Sequence, residues 1–312
     1  MNYYVWTIGC QMNEADSRRL AAALERLGYA PAARAEEADV VVLNTCVVRQ
    51  AAEEKVYGRL SSLRPLKERR PQMVVGVMGC LVGLKDTTLL RRRFPWVDVF
   101  MPPSQPAPLL EYLAEHSLAD EARALEAVEA ARRGRLHEGD WALPLHERGR
   151  LVAAYVPAVL GCSHACSYCV IPYRRGPERS RPPEEIIAEA HALAAQGVKE
   201  ITLLGQIIDR YGLDLADLQT CKLANLLERL HEIEGLVRLR FLTSHPNWMT
   251  DELLNAVATL PKVSEHVEVP VQAGDDEILA RMRRGYTADD YRRLMGRVRE
   301  RLPGVAIATA GI

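Results

Sequence analysis

Aromatic residues are scarce in this 312-residue chain, at 6%, with only three Phe. There is almost no net charge, with 40 Lys and Arg against 41 Asp and Glu. Binding of nucleic acid through overall charge is thereby excluded, and only local basic clusters remain for that purpose. No apolar run approaches the roughly 20 residues that span a bilayer, which argues against a membrane-spanning helix and predicts no membrane partner. The opening MNYYVWTIGC has no basic stretch followed by a long apolar one. The expectation is a chain without a signal peptide, working in the cytoplasm. No low-complexity segment interrupts the sequence. Almost half of it is hydrophobic and 26% is charged, as in a globular protein long enough for two domains.

Arginine is locally clustered, at residues 91–93, 132–133, 174–181 and 281–284. Such clusters ordinarily form solvated helix faces. The group containing Arg174, Arg175, Arg179 and Arg181 stands apart, because it directly follows a cysteine motif.

The period of the hydrophobic residues divides the chain. Residues 1–115 alternate short apolar strands (3–8, 39–43, 73–78 and 97–101) with amphipathic helices (13–28, 50–70 and 89–93). Asn13 is a candidate N-cap and Gly28 a stop signal. Continuous Val/Ile/Leu runs of this length fit parallel strands buried on both faces, so this part reads as a doubly wound α/β domain. Residues 116–150 are rich in Ala, Glu and Arg without a strand signal, and read as an exposed helical linker. From 151 to 312 strands are expected at 152–160, 200–204, 239–243, 266–271 and 305–309. Helices are expected at 183–197, 223–234, 250–260 and 288–302. Five strands in this rhythm point to a parallel (β/α) barrel or part of one. The fold class is α/β throughout.

Seven cysteines is an odd number, and in a cytoplasmic chain clustered cysteines indicate metal or redox chemistry rather than disulfides. Cys162, Cys166 and Cys169 form C-x3-C-x2-C in a loop just past a predicted strand. Thiolates favour iron–sulfur clusters or zinc. Three of them fill three corners of a [4Fe–4S] cubane and leave one iron open to a small chelating molecule. Zinc remains the alternative, with His164 as a fourth ligand. Cys10, Cys46 and Cys80 are remote in sequence, yet each follows an apolar strand: VWTIGC, VVVLNTC and VVGVMGC. In an open parallel sheet the carboxyl ends of the strands converge on one edge, so these three thiols are expected to meet and to hold a second cluster. The alternative is three small buried hydrophobes. Cys221 lies in a polar stretch and reads as structural or incidental.

At this point the residues resemble those of a known family, the radical S-adenosylmethionine (SAM) methylthiotransferases. C-x3-C-x2-C after the first barrel strand is similar to the radical SAM signature, and the Cys10, Cys46, Cys80 trio is similar to the auxiliary-cluster set of that family. GCQMNEADS (9–17), YCVIPYRRGPERSRP (168–182), LTSHP (242–246), VPVQAGDDEIL (269–279) and RGYT (284–287) resemble its tRNA-modifying branch. The likeness extends over essentially the whole chain.

The resemblance implies two [4Fe–4S] clusters. The one on Cys162, Cys166 and Cys169 would bind SAM and cleave it to a 5′-deoxyadenosyl radical. That radical would take hydrogen from carbon 2 of N6-isopentenyladenosine beside the tRNA anticodon. The cluster on Cys10, Cys46 and Cys80 would deliver sulfur methylated by a second SAM, both centres opening onto a shared cavity. Such chemistry suits an aromatic C–H with no acidic proton to remove. The resemblance further implies SAM contacts at Gly205, Gln206, Ser244 and Gln272. It implies substrate, SAM or cluster contacts at Asn13, Asn44, Thr45, Arg174, Arg175, Arg179 and Arg181. The implied partners are tRNA and a reducing electron donor of flavodoxin or ferredoxin type, with the chain a monomer.

Two departures from the family pattern stand out. GQIIDRYG (205–212) has Ile207 and Asp209 where the family carries asparagines, and Leu160 stands where a Glu is common. The chain ends at Ile312, in the fifth barrel strand, so it is expected to be a C-terminally truncated member without the sixth strand or the RNA-binding TRAM domain. Alternative readings are a methylthiotransferase for threonylcarbamoyl-adenosine in tRNA or for a ribosomal-protein aspartate. A further one is a non-catalytic iron–sulfur protein that binds RNA or transfers electrons.

Overall fold

The computed structural model describes residues 1–311 except 49, 85–86, 117, 134–141 and 217–221. Cys221 lies outside the described residues. They form two compact units, Met1–Arg148 with Tyr173–Arg175, and Gly149–Pro172 with Gly176–Ile312.

In the first unit the elements run β1 (Asn2–Thr7), α1 (Gln11–Arg26), β2 (Ala30–Pro31), β3 (Val40–Thr45), α2 (Gln50–Arg69), β4 (Val74–Gly79), α3 (Thr88–Arg93), β5 (Val99–Met101), α4 (Ala107–Glu115) and α5 (Glu121–Arg132). The strands form one parallel sheet in the order β2-β1-β3-β4-β5. Side chains alternate between two cores, as a pleated strand demands. Val40, Val42, Val74 and Met78 face Leu20, Leu24, Leu109, Leu113 and Val128 of α1, α4 and α5. Val41, Leu43, Val75 and Val77 face Val56, Leu60, Leu63 and Leu66 of α2. Helices thus cover both faces, which is the doubly wound arrangement.

The segment expected as an exposed linker is corrected for α5. Its Ala124 and Ala127 are fully buried with Val128 beside them, because small residues let the helix lie close against α4. The start of α1 is also corrected. Cys10 occupies the N-cap position and Asn13 lies inside the helix with its side chain engaged elsewhere.

The second unit continues with β6 (Ala153–Pro157), β7 (Val159–Leu160), α6 (Ile171–Arg175, its last three residues grouping with the first unit), β8 (Arg179–Ser180), α7 (Pro183–Ala195), β9 (Glu200–Leu204), α8 (Leu223–His231), β10 (Arg238–Leu242), α9 (Asp251–Thr259), β11 (His266–Glu268), α10 (Asp276–Arg281), α11 (Ala288–Arg301) and β12 (Ala306–Ala308). Parallel ladders join β6, β9 and β10 in chain order, and β11 to β12. Ser244 N donates to Glu268 O at 3.0 Å, tying the end of β10 to β11. This succession of parallel strands with intervening helices is the wall of a partial (β/α) barrel. The single strand expected at 152–160 is corrected to two, β7 leaving the wall to pair antiparallel with β8.

Leu24 is fully buried among α1, α4 and the sheet. Leu24→Ala is expected to lower stability by about 2–5 kcal/mol, read as a lower denaturant midpoint with an unchanged slope.

Candidate metal and cofactor sites

In the first unit, Cys10, Cys46 and Cys80 follow β1, β3 and β4, the three adjacent middle strands of the sheet. The registers Thr7 with Asn44 and Thr45 with Gly79 keep these strand ends nearly level. Two glycines let the turns come together. Gly79 has φ +102°, and a Cβ there would stand 2.5 Å from Thr45 O. A Cβ on Gly9 would stand 3.1 Å from Cys46 Cβ, so the Cys10 turn packs directly on Cys46. Burial pushes the Cys80 thiol up. Arg175 pulls it down by charge and by a hydrogen bond, while Cys46 and Cys10 raise it. All three thiols are free, Cys46 and Cys80 buried and Cys10 exposed. Cys10 also stands at the positive end of the α1 dipole, which suits a negatively charged ligand.

A buried polar web holds these turns. Asn13 Nδ2 donates to Asn44 Oδ1 at 2.8 Å and Thr45 O at 3.0 Å. Asn44 Nδ2 donates to Asn13 O and Ser17 Oγ, and Thr45 Oγ1 to Met78 O. Asn13, Asn44 and Thr45 have no exposure to solvent. The expectation that they contact substrate is therefore corrected: each spends its polar atoms bracing the cysteine turns.

Arg175 is corrected as well. Its side chain, 4% exposed, donates to Asn13 Oδ1 at 3.2 Å and lies 3.8 Å from Asp16 Oδ2. It cannot meet a phosphate there. Burial opposes its charge, but Asp16, Cys80 and Cys10 together outweigh burial and hold the guanidinium protonated. Asp16 in turn accepts from Ser104 Oγ. Two buried atoms of this pair, Arg175 Nε and Asp16 Oδ1, have no hydrogen-bond partner among the described residues. Arg181, expected to be a phosphate contact, is instead a buried structural ion, donating to Glu189 Oε2 at 2.6 Å and Pro157 O at 2.8 Å. Arg174 is half-buried beside Gly83, and Arg179 is exposed.

In the second unit, Gly161 opens the loop of the C-x3-C-x2-C motif. Its φ is +70°, and a Cβ would fall 2.1 Å from Pro177 O, so only glycine fits. Cys162 N donates to Gly176 O, closing the loop, and Cys169 N to Cys166 O. Burial pushes the Cys162 and Cys169 thiols up, and the neighbouring motif cysteines add to this. Cys162 and Cys169 pack with Ile171, Ile207 and Trp248. Ile207 thus contributes apolar wall in place of a polar contact.

Beside this loop the rings of His164 and His245 meet edge-on at 4.8 Å, and His245 meets Tyr286 at 5.4 Å. Burial, aided by Arg284 and His164, drives His245 down to about 3, so it is neutral. His245 N donates to both Asp209 oxygens, at 3.2 and 3.0 Å. Burial raises Asp209 to about 7, against the lowering effect of those bonds.

Of the expected SAM contacts, Gly205 ends β9 and bonds through its backbone to Leu242 O and Thr243 N. Gln206 follows, half-buried, and Gln272 sits past β11 with φ +69°. Ser244 is buried, and its Oγ has no partner among the described residues; nor do Nε2 of His164 and His245 or Nε1 of Trp248. Unpaired buried polar atoms are costly, and four of them beside one loop fit a site completed by a polar ligand.

His245, Asp209, Asp16 and Arg284 were not among the expected site residues, although Asp209 stood out as a departure from the family pattern and Arg284 lay in an arginine cluster. The one signal for Asp16 was the run of polar Asn13, Asp16 and Ser17 at helical spacing on an otherwise apolar face. Among the described residues no group of three or more His, Cys, Asp or Glu is placed to hold a single metal ion. Cysteines that ligate separate irons of a cubane need no such closeness.

Comparison with known proteins assigns the class. Residues 2–102 match the uncharacterized protein family UPF0004, and residues 156–312 match the Radical SAM superfamily. In fold the chain is similar to the radical S-adenosylmethionine methyltransferase TsrM from Kitasatospora setae, with a TM-score of 0.63 and 16% identity, covering 100% of this chain and 69% of that one. It is similar also to the cobalamin-dependent S-adenosylmethionine radical enzyme OxsB, with a TM-score of 0.62 and 11% identity, covering 100% of this chain and 49% of that one. Among curated proteins, it is 47% identical to the tRNA-2-methylthio-N(6)-dimethylallyladenosine synthase of Herpetosiphon aurantiacus, over 98% of this chain and 66% of the relative. It is 47% identical to that of a Roseiflexus species over 98% and 60%, and 42% identical to that of Dictyoglomus thermophilum over 98% and 67%. The chain belongs to the radical SAM superfamily and, within it, to the tRNA-2-methylthio-N(6)-dimethylallyladenosine synthase family. It spans between 60% and 67% of the length of these relatives.

Asp209 gives a test of the site's electrostatics. Its carboxyl holds a proton more tightly folded than unfolded, so between pH 3.8 and about 7 the folded state carries the extra proton. Stability then falls as pH rises through that window. Asp209→Asn keeps an acceptor for His245 N, and is expected to flatten the slope and to stabilise the metal-free chain at pH 8 by about 4 kcal/mol. Thermal melts from pH 4 to 8 check this; an unchanged slope would assign it to another group.

Proposed function

We propose that this chain is a radical SAM methylthiotransferase acting on carbon 2 of N6-isopentenyladenosine in tRNA, with two [4Fe–4S] clusters. The observation that carries the reading is two separate triplets of free thiols, one at the carboxyl ends of three adjacent parallel strands and one in the loop after β7, each beside buried polar atoms left without partners among the described residues. Cys10, Cys46 and Cys80 would hold one cluster, and Cys162, Cys166 and Cys169 the other. When bound, a reduced cluster with SAM supplies a radical able to remove hydrogen from an unactivated C–H, and the second cluster a sulfur donor.

The chain's own residues prepare both places. Arg175 offsets the negative charge of the N-terminal thiolates, and the Asn13–Asn44 pair fixes their turns. Neutral His245, whose Nδ1 accepts from Asn247 N and whose Nε2 therefore carries the proton, offers a donor for the polar groups of SAM, as do Ser244 Oγ and Trp248 Nε1, and His164 offers its unpartnered Nε2. Gly205, where a Cβ would stand 2.9 Å from Ile208 Cα, and Gln272, at φ +69°, would shape the rim. Arg179, exposed past the cysteine loop, and the half-buried Arg174 are the members of their cluster left to meet RNA. The electron donor would be a small reducing protein, and the compartment the cytoplasm; no helix among the described residues is long and apolar enough to cross a membrane.

Anaerobic reconstitution is expected to load about eight irons per chain, and about four after Cys10, Cys46 and Cys80 are all changed to Ala. With dithionite, SAM and tRNA bearing N6-isopentenyladenosine, the parent is expected to yield 5′-deoxyadenosine and the 2-methylthio nucleoside, detected by mass spectrometry. The triple variant is expected to yield only the former. Methylthiolation of threonylcarbamoyl-adenosine or of a ribosomal-protein aspartate instead would replace the substrate assignment. Full iron loading without any 5′-deoxyadenosine would favour a binding or electron-transfer protein.

A further inference from the structure

The turn between α10 and α11 carries a side chain that neither the cysteine motif nor the barrel rim accounts for. Arg284 is 5% exposed. Its Nη1 donates to Cys166 Sγ at 3.1 Å, its Nε reaches Tyr286 Oη at 3.4 Å, and its guanidinium lies 5.6 Å from the Tyr286 ring centre. The same turn grips the next residue of the cysteine loop at two points. Ser167 N donates to Met282 O at 3.2 Å and Ser167 Oγ to Arg281 O at 2.8 Å. The turn is itself fixed, with Arg283 and Gly285 on either side of Arg284 in left-handed conformations and Asn247 Nδ2 donating to Gly285 O. Cys166 and Arg284 are thus held in register by backbone on both sides.

A buried guanidinium is costly unless a negative charge answers it. Among the described residues no carboxylate lies within ion-pair distance of Arg284. The groups around it are Cys166, Cys169, Tyr286, Tyr168, His164 and a neutral His245. The group its guanidinium does reach is the Cys166 sulfur, which would be an anionic ligand with a cluster bound.

We infer that Arg284 is a positioning residue that, through its hydrogen bond to the Cys166 sulfur, sets the reduction potential of the cluster held there. The inference rests on the proposed cluster at Cys162, Cys166 and Cys169. One-electron reduction adds a negative charge to the cluster. A hydrogen-bonded cation beside a ligand sulfur therefore stabilises the reduced state more than the oxidised one and raises the potential.

The test uses the chain with Cys10, Cys46 and Cys80 changed to Ala, so that one cluster titrates, and reads the reduced cluster by electron paramagnetic resonance at controlled potential without SAM. Arg284→Gln, which removes the charge, is expected to disfavour reduction at least tenfold, equivalent to a fall of about 59 mV. Arg284→Lys, which keeps the charge, is expected to stay closer to the parent than Arg284→Gln does. A parent-like midpoint in Arg284→Gln, or equal shifts in both variants, would overturn the inference. Should Arg284→Gln fail to load iron, loading in Arg284→Lys supports the charge requirement and failure of both refutes it. Failure of the parent to load about four irons would instead sink the cluster itself.

Discussion

Thiolates that share a ligand must be brought together, and once ionised they repel one another in a poorly solvated place. The fold answers this in the first unit with a level row of strand ends and a buried cation. Adjacent parallel strands β1, β3 and β4 deliver Cys10, Cys46 and Cys80 to one edge of the sheet. Arg175, sealed from solvent beside Asp16, supplies the positive charge. The glycines that let the turns approach, and the fully buried Asn13, Asn44 and Thr45 that tie them, are consequences of that requirement. The second unit meets the same need by different means. Its three cysteines lie close in sequence, the loop is closed on itself by Cys162 N and Gly176 O, and a guanidinium from a distant turn reaches Cys166.

Rigidity at both places comes from the scaffold rather than from the loops. The sheet of the first unit is covered on both faces, so its carboxyl edge cannot move without disturbing two cores. In the second unit Asp209 braces the backbone of His245, and His245 packs between His164 and Tyr286. The result is a set of oriented polar atoms that lack partners among the described residues.

Much of this was legible in the sequence because it follows from local pattern. Short apolar runs, Val/Ile/Leu-rich except in β1, located β1, β3, β4 and β9 to within a residue or two, and cysteines directly after three of them predicted convergence at a sheet edge. What was not legible depends on long-range pairing. Asn13 is a good helix cap by propensity, yet its amide is needed by Asn44, 31 residues on, and Cys10 takes the cap position instead. Four arginines in one stretch look alike in sequence; the fold buries Arg175 against Asp16, buries Arg181 against Glu189, and leaves Arg179 in solvent. The Ala-rich α5 looked polar enough to be a linker, whereas its small residues form the close contact that packs it into a core. His245 and Arg284 lay inside recognisable stretches, but no spacing rule announces an edge-on ring contact or a bond to a cysteine sulfur.

The central claim is that each triplet of cysteines ligates its own cluster. Iron-edge anomalous diffraction from crystals of the anaerobically reconstituted chain tests it most directly. The account predicts two separate iron centres, one bonded by Cys10, Cys46 and Cys80 and the other by Cys162, Cys166 and Cys169. A single iron centre, or either set of sulfurs standing free of metal, would contradict it.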